Sequence, residues 1–339
     1  MRTRLLRLSL FIVALVALGS IPFVAAGCWT QMPGVSSGGP RTLDPLERDV
    51  AARLEAHVRK LCDLAPRDAG HPANYSTAAA YIDAELTSYG YVIERIPPAR
   101  GTGDSLLATR PVTAKTEDGE AAPRGPVVVV GAHYDSFDVT PGADDNASGV
   151  AAGLELARLM AKDPIAERVV FAFFSNEEPP HFHTESMGSL AVARALERRG
   201  EEVRVMFSLE MLGYYDDAPG SQHYPPVLSW FYPDTGDFVA FVTRLEDRPF
   251  AAESVETWRR EVDFPSEGFA GPDFITGVDF SDHWSFWQAG FPAVMITDTA
   301  FFRNANYHQT TDTPDTLDYP SFARVTVGVR RIVEMWARR

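Results

Sequence analysis

Two adjacent glutamates, Glu177 and Glu178, end the apolar run in FFSNEEPP and are followed by two prolines. Adjacent residues of an extended chain point to opposite faces, and two like charges side by side are costly unless a cation lies between them. A divalent metal ion supplies that cation, since one glutamate can coordinate it while the other takes a proton from water that the metal activates. The pair therefore predicts a metal site whose remaining ligands lie elsewhere in the chain.

Histidines and further carboxylates follow other apolar runs. GAHYDS comes directly after four valines, PGADDNASG after that, SLE ends VRVMFSL, and NANYHQTTDT follows VMITD. Their candidate ligands are His133, Asp135, Asp144, Asp145, Glu210 and His308. Two histidines with several carboxylates suit zinc best, and they suffice for two ions with one bridging carboxylate. DDNASG alone also fits a helix N-cap, so the metal site depends on the joint order of the motifs.

The elements that must position these residues indicate an α/β fold. PVVVVGAHYD predicts a buried strand because four valines leave no polar face. RVVFAFF, VRVMFSL, PVLSWFY and FPAVMITD are also predicted strands; helices are predicted from Pro45 to about Leu64, over 75–89 and 147–162, in SLAVARALERR, in GDFVAFVTRLE and over 319–339. Residues 91–126 are predicted to be a polar excursion. We expect a single domain with a largely parallel mixed central sheet and helices on both faces. Ligands of such sheets bind beyond the carboxyl ends of the strands, where the candidates lie.

The N-terminus predicts export. Three arginines precede an almost uncharged run that ends at VAAGC, which is typical of a signal peptide or of a span with its basic flank in the cytoplasm. The small residues before Cys28 resemble a bacterial lipoprotein cleavage box, although Ala25 replaces the usual large aliphatic residue. Lipoprotein, retained anchor and cleaved signal stay open for residues 1–28. Each places the protein in the periplasm or at the cell surface. Residues 29–45 are predicted to be a flexible tether and 46–339 the folded domain.

Charge and cysteine content exclude some functions. The net charge is −15, and because the first 27 residues carry three arginines and no acid, the remainder has 28 basic against 46 acidic residues, a balance of −18. Nucleic acid is therefore not an expected partner, since phosphate binding needs a basic face. The only cysteines, Cys28 and Cys62, are too few for a cysteine-based metal site. Cys62 is expected to be a small buried side chain unless it pairs with Cys28.

The motifs GAHYDS, GADDNASG, NEE, SLEMLGYY, FSDHW and YHQTTDT, in this order, resemble the co-catalytic zinc exopeptidases of metallopeptidase family 28 over roughly residues 45–339. The family includes aminopeptidases, and glutamate carboxypeptidase and glutaminyl cyclase are relatives. The resemblance implies a zinc-exopeptidase fold of the phosphorylase/hydrolase-like type, with two zinc ions per chain.

The resemblance also implies a role for each matching residue. His133 and Glu210 would bind one zinc ion, His308 and Glu178 the other, and Asp145 would bridge them. Glu177 would be the general base, and Asp135 would orient His133 by a hydrogen bond. Tyr307 matches an oxyanion-stabilising tyrosine, although a packing aromatic fits equally well. Asp282 and His283 would bind substrate or support the site, and the Asp145–Asn146 peptide bond is expected to be cis.

Two departures from the family pattern concern the site. Glu210 stands where the family usually has aspartate, which is one methylene shorter, so occupancy of that metal position is open. The pattern EExGLxGS becomes EEPPHFHTESMGS, and the extra residues within 179–187 predict a loop at the rim of the active site. Its two histidines, His181 and His183, could bind a metal, but a loop that faces solvent or substrate is the favoured interpretation.

The predicted function is that of a zinc aminopeptidase acting on peptides with a free N-terminus, tethered to a membrane through its own N-terminus. A glutaminyl cyclase-like transferase, which would use one zinc ion to cyclise an N-terminal glutamine with loss of ammonia, is the alternative. It is favoured by the insertion and by Glu210, whereas DDNASG matches aminopeptidases better. A non-catalytic module of the same fold is disfavoured, because every ligand position holds a residue able to bind metal.

Overall fold

The computed structural model describes residues 27, 29–113 and 125–339. The helices are α1 Pro45–Cys62, α2 Pro72–Ser88, α3 Gly149–Met160, α4 Gly188–Arg198, α5 Arg248–Glu261, α6 His283–Gln288 and α7 Tyr319–Ala337. The strands are β1 Val92–Ile96, β2 Ser105–Thr109, β3 Val127–His133, β4 Val169–Phe174, β5 Val203–Glu210, β6 Val239–Arg244, β7 Ser266–Gly271 and β8 Ala293–Thr297. No helix in these ranges combines the length and the apolar character needed to cross a membrane.

The eight strands form one mixed sheet in the order β1-β2-β4-β3-β5-β8-β6-β7. Its centre is parallel, since β4, β3, β5 and β8 run in one direction. The four valines of β3 are buried on both faces: Val128 and Val130 belong to one core, and Val127 and Val129 to the other. Helices α1, α2, α3, α5 and α7 cover the first face, and α4 and α6 cover the second. The predicted fold class is confirmed.

Three predictions about elements are wrong. The segment 91–126 contains the antiparallel strands β1 and β2. GDFVAFVTRLE, predicted to be a helix, contains strand β6, and PVLSWFY, predicted to be a strand, contains only the short 3-10 turn Leu228–Trp230. Residues 239–241 of β6 are consecutively buried, so their apolar pattern does not alternate, and short apolar runs of this kind do not distinguish strand from helix. Helices α5 and α6 and strand β7 were not predicted.

The segment 29–38 packs along the open edge of the sheet at β7. Trp29 contacts Phe269 edge-to-face, with ring centroids 6.4 Å apart, and the Ser266 amide donates to the Ser36 hydroxyl at 3.0 Å. The Arg259 guanidinium of α5 donates to the carbonyl oxygens of residues 32–34. Covering an edge strand in this way protects its free backbone groups from pairing with another chain. The predicted boundaries of the tether and of the domain stay predictions.

The predicted signal or anchor lies outside the described residues except for Gly27. Cys28 is also outside them, so its lipidation and its pairing with Cys62 stay predictions. Cys62 is partly buried among apolar side chains of the α1 face. Burial raises the pKa of its thiol to about 12, which keeps the thiol protonated and unreactive at neutral pH.

Candidate metal centre

The parallel strands bring four of the predicted site residues to one edge of the sheet. His133 is the last residue of β3, Glu210 is the last residue of β5, and Glu177 and Glu178 follow β4 by a few residues. Since β3 pairs in parallel with both β4 and β5, the three carboxyl ends coincide. Asp145 joins them from the loop before α3. The side chains meet because the strands are adjacent, although the residues are far apart in sequence.

His133, Asp145 and Glu210 form the first ligand group, with ligand atoms within 4.8 Å of one another. The His133 Nε2 lies 3.3 Å from Asp145 Oδ1 and 3.5 Å from Glu210 Oε2. All three residues are buried. One imidazole nitrogen and two carboxylate oxygens around one point are a ligand set that zinc accepts.

Asp145, Glu178 and His308 form the second ligand group, also within 4.8 Å. The His308 Nε2 lies 3.2 Å from Asp145 Oδ2 and 3.2 Å from Glu178 Oε2. Asp145 thus presents one carboxylate oxygen to each histidine, which is the geometry of a bridging ligand. This is the pairing that the family resemblance implied for His133 with Glu210 and for His308 with Glu178.

The ring nitrogens that face these carboxylates fit metal ions better than protons. Nε2 of His133 and Nε2 of His308 are buried and make no hydrogen bond with any described residue, despite the carboxylate oxygens 3.2–3.5 Å away. Oε1 of Glu178 is likewise buried without a partner among the described residues. Buried polar atoms are normally satisfied, and a cation between these atoms would satisfy all of them.

The pKa values of Glu178 and His308 are both raised, which indicates excess negative charge at the second ligand group. Burial and the Asp145 charge raise the pKa of Glu178 to about 8. Burial would lower the pKa of His308, but the nearby carboxylates of Asp145 and Glu178 raise it to about 10. Without a metal ion, protons must therefore neutralise the carboxylates at neutral pH.

Glu177 lies beside the first ligand group without belonging to it. Its Oε2 is 3.9 Å from Nε2 of His133, and it forms a third possible cluster with His133 and Glu178. Burial raises the pKa of Glu177 well above its ordinary value, against the opposing charge of His133. A carboxylate with a raised pKa next to a metal site can accept a proton and return it, which is the property of a general base.

Buried carboxylates hold the backbone of two ligand-bearing loops, the loop of Glu177 and Glu178 and the loop of Asp145. Asp135 accepts hydrogen bonds from the amides of Glu177 and Glu178 at 3.1 and 3.0 Å. Its Oδ1 is also 3.5 Å from Nδ1 of His133, the atom that it was expected to orient. In the same way, Asp312 accepts from the amides of Asp144 and Asp145 at 2.9 and 3.1 Å. Sequence reasoning missed Asp312, although it lies in YHQTTDT, four residues after a predicted ligand.

Glu210 is held from both sides. The Ser281 hydroxyl donates to Glu210 Oε2 at 2.7 Å, and the Asn146 amide group lies 3.4 Å from the same oxygen. Asn146 also donates to the Leu209 carbonyl at 2.8 Å. The Asp145–Asn146 peptide bond is cis, as expected. The longer Glu210 side chain therefore reaches the first ligand group in a defined position.

Asp144, the neighbour of the bridging residue, points away from both ligand groups. Its carboxylate accepts from the Gly213 amide at 2.9 Å and from the Asn304 side chain at 2.8 Å. Burial and the nearby Asp298 raise its pKa well above the ordinary value. Asp144 therefore supports the loops around the site and is not a ligand.

Tyr307 and His308 form part of an aromatic stack. The His308 ring lies between Phe137, with centroids 3.9 Å apart, and Tyr307, with centroids 3.8 Å apart. The stack holds the imidazole in its orientation toward Asp145. Burial and the surrounding carboxylates raise the pKa of Tyr307, so its phenol stays protonated and able to donate a hydrogen bond. Both predicted roles of Tyr307, packing and donation, are compatible with this position.

Asp282 and His283 lie beneath the site at the start of α6. Both are fully buried, and the His283 Nε2 contacts the Val278 carbonyl oxygen at 2.7 Å. Burial raises the pKa of Asp282 to about 7. Their predicted role in substrate binding stays a prediction, and the hydrogen-bond contact of His283 is with the loop that ends at Ser281.

The insertion folds as a series of turns beside the site. His183 stacks between Phe182 and Trp284, with centroids 4.0 and 4.4 Å apart, and its Nε2 lies 3.1 Å from the Asp279 carbonyl oxygen. His181 lines a polar pocket next to Glu178. Neither histidine belongs to a cluster of three metal-ligating groups within the described part of the chain. The structure thus places the insertion in a loop beside the site, as expected.

An apolar pocket opens at the first ligand group. Glu210 and Tyr307 line its mouth, one face of β6, β7 and β8 forms its floor, and loops around 222–232, 275–280 and 299–302 form its walls. Its volume is about 820 Å³ with the open mouth included. Phe280 lines the pocket, whereas Phe286 and Trp287 of α6 are buried in the core.

The fold resembles those of two solved structures. LapB from Legionella pneumophila superposes with a TM-score of 0.65 at 20% identity, over 90% of this chain and 78% of that chain. Glutaminyl cyclase from Fimbriiglobus ruber superposes with a TM-score of 0.59 at 19% identity, over 88% and 98% of the two chains. At these identities the likeness concerns the fold alone.

Sequence relatives give the family. The chain is 42% identical to the uncharacterized protein YfbL of Escherichia coli K12, over 82% of this chain and 85% of that protein. It is 27% identical to the probable aminopeptidase YDR415C of Saccharomyces cerevisiae over 62% of this chain, which spans 53% of that protein's length. Residues 112–333 match the model of Peptidase family M28. The chain therefore belongs to peptidase family M28, as the order of its motifs predicted.

Proposed function

We propose that this protein is an exported aminopeptidase that uses two zinc ions to hydrolyse the N-terminal peptide bond of peptides. The observation that carries the proposal is the pair of complete ligand groups that share Asp145, with Glu177 beside them. The named relatives include the probable aminopeptidase YDR415C, and the apolar pocket at the mouth of the site suits the side chain of an N-terminal residue.

Each residue of the site would have a separate role in this reaction. His133, Asp145 and Glu210 would hold one zinc ion, and Asp145, Glu178 and His308 the other. Zinc supplies Lewis acidity, which polarises the scissile carbonyl group and makes water a stronger acid. Glu177 takes a proton from the attacking water and returns it to the leaving amine. Tyr307 donates a hydrogen bond to the negative oxygen that develops on the substrate.

The protein environment keeps these groups in place. Asp135 and Asp312 hold the loops of Glu178 and Asp145 through backbone amides, so these two ligands are positioned by the backbone of their loops. Phe137 and Tyr307 fix the plane of His308. Preorganisation of this kind is what makes metal ligands and a general base effective.

Glutaminyl cyclase activity is the second candidate, because one structural neighbour is a glutaminyl cyclase. Both ligand groups are complete here, and this favours two-metal hydrolysis over a reaction at one metal. Completeness of both groups also argues for an enzyme and against a non-catalytic module of the same fold.

A peptide with an unblocked N-terminal glutamine distinguishes these functions. The zinc-loaded protein is incubated with this peptide, with and without a chelator, and the products are followed by mass spectrometry. A chelator-sensitive product shortened by one residue supports the aminopeptidase. Loss of ammonia at constant chain length would establish the cyclase and overturn the proposal.

We also propose that the chain is exported and tethered by its N-terminus. The basic start, the apolar run and the small residues before Cys28 support this. Cell fractionation of the native chain and of Cys28→Ser tests it. A lipoprotein changes its mobility or its membrane association in the variant, a retained anchor does not, and a chain found in the cytoplasm contradicts export.

A further inference from the structure

We propose that the apolar pocket also binds a straight acyl chain, so that the metal centre hydrolyses amides of medium-chain fatty acids. The inference rests on the proposed function, since it uses the same metal centre. Water adds to the acyl carbon, the carbon–nitrogen bond breaks, and the nitrogen leaves as an amine that takes a proton. The other product is the fatty acid carboxylate, and no oxidant or further reactant is needed.

The floor of the pocket is longer than the side chain of an N-terminal residue requires. Strand pairing places four pocket-lining residues in one row across β5, β8, β6 and β7: Glu210, Thr297, Ala240 and Glu267. Neighbouring strands lie about 4.8 Å apart, so this row extends about 14 Å from the ligand Glu210. A second row of Met295, Val242 and Phe269 widens the floor along the strands.

The length of the row determines how many carbons of an acyl chain it can hold. An extended chain advances about 1.2 Å per single bond, because three backbone bonds span about 3.3–3.6 Å. A leucine side chain therefore reaches only about 4 Å from its Cα. With about 3 Å left for the metal and the carbonyl group, the row accommodates an acyl chain of about nine carbons.

Among the described residues, the far end of the pocket offers no unpaired charge that would select a cation. The Glu267 carboxylate lies 3.3 Å from the Arg259 guanidinium. The hydroxyl groups of Tyr224 and Tyr232 donate to the carbonyl oxygens of Pro233 and Gly268 at 2.6 and 2.7 Å. A cationic side chain would have to compete with Arg259 for Glu267. The Thr297 hydroxyl in the row already accepts from the Thr299 amide at 2.9 Å. An alkyl chain therefore has Ala240 and the neighbouring row of Met295, Val242 and Phe269 to pack on, and it needs no polar partner.

A chain-length series tests the inference. The full-length, zinc-loaded chain is assayed with 4-nitroanilides of straight acids from acetyl to dodecanoyl, and with leucine 4-nitroanilide, which has the same leaving group. Each buried methylene is expected to raise kcat/KM about fourfold, up to about nine carbons, where the row ends at Glu267. Calorimetric titration with octanoate and acetate, the corresponding products, is expected to show tighter binding of octanoate.

Ala240→Leu places a larger side chain in the third position of the row. The rise in kcat/KM is then expected to stop at about six carbons, since Ala240 lies about 10 Å from Glu210. Ala240→Val is a smaller change with the same expected direction. Ala99→Leu, the same substitution at an exposed position between β1 and β2, should leave the chain-length profile unchanged.

The outcomes separate the two proposals. Hydrolysis of the leucine anilide with no rise along the acyl series overturns the acyl-chain inference and leaves the aminopeptidase intact. Hydrolysis of neither substrate by the zinc-loaded protein overturns both. A third outcome is that kcat/KM rises along the acyl series but Ala240→Leu and Ala240→Val lower it equally at every chain length. This result overturns the assignment of the acyl chain to this row.

Discussion

Asp135→Asn is expected to weaken both the fold and the reaction through one buried contact. Asp135 is 2% exposed, and its two oxygens accept from the amides of Glu177 and Glu178. Asparagine has the same shape, but its side-chain nitrogen cannot accept a hydrogen bond. The backbone amide of Glu177 or Glu178 then loses its acceptor and faces the NH2 group of the asparagine, in the interior of the protein.

The magnitude follows from those two bonds. A hydrogen bond to a charged group contributes about 1.5–3 kcal/mol, and an unsatisfied buried donor costs about 1–3 kcal/mol. No cavity forms, so we expect the free energy of unfolding to fall by about 3 kcal/mol. Because the displaced turn carries Glu177 and Glu178, we also expect a loss of about 10–100-fold in kcat or in zinc affinity, as for other partners of metal ligands.

Urea unfolding and hydrolysis of leucine 4-nitroanilide measure the two effects. Asp216→Asn is the matched control, because Asp216 accepts from the Ala218 amide at 2.9 Å in an exposed turn. It should change the free energy of unfolding by less than about 0.5 kcal/mol and leave the rate unchanged. If Asp135→Asn has the same urea midpoint and the same turnover as the unsubstituted protein, Asp135 does not hold the turn that carries Glu177 and Glu178, and the prediction is refuted.

Three further predictions concern the metal centre. Glu177→Gln is expected to lower kcat by at least about 100-fold while the zinc content measured by atomic emission stays native, because it removes the base and no ligand; native turnover in the variant would exclude Glu177 as the base. Asp145→Asn is expected to reduce the bound zinc at both positions, since one carboxylate serves both histidines, and loss of one ion only would show that Asp145 does not bridge. In the metal-free protein the raised pKa of Glu178 favours folding below about pH 4.5, and this contribution is lost as the pH rises through about 8. The drop in Tm caused by a chelator should therefore be larger at pH 8 than at pH 5, and equal drops would contradict the charge distribution described here.

The central part of the fold was predictable because its strands are buried on both faces. Four consecutive valines cannot form an amphipathic helix, so β3 was evident from sequence, as were β4, β5 and β8. The periphery was not predictable in the same way. Strand β6 has consecutive buried residues that fit either element, and β1 and β2 are short strands in a polar segment. Whether these segments form strands depends on which neighbouring strands pair with them.

The candidate ligand groups were predictable because metal chemistry restricts residue types and because strand ends share one edge. The supporting groups were harder to identify. Asp135 was expected to serve His133, yet its hydrogen bonds go to the Glu177 and Glu178 amides. Asp312 had no signal of its own beyond its place in the last motif. A backbone amide carries no sequence identity, so its partner can be recognised only from coordinates.

By itself the sequence determined the family, the candidate metal-ligating residues and the order of the central elements, because these follow from residue type, spacing and the burial of apolar runs. Only the tertiary structure decided that Asp145 faces both histidines, that Asp135 and Asp312 hold the ligand loops, and that β6, β7 and β8 form a long apolar floor beside Glu210. Each of these depends on distances between residues remote in the chain. Such distances are set by strand pairing and packing, which local sequence does not encode.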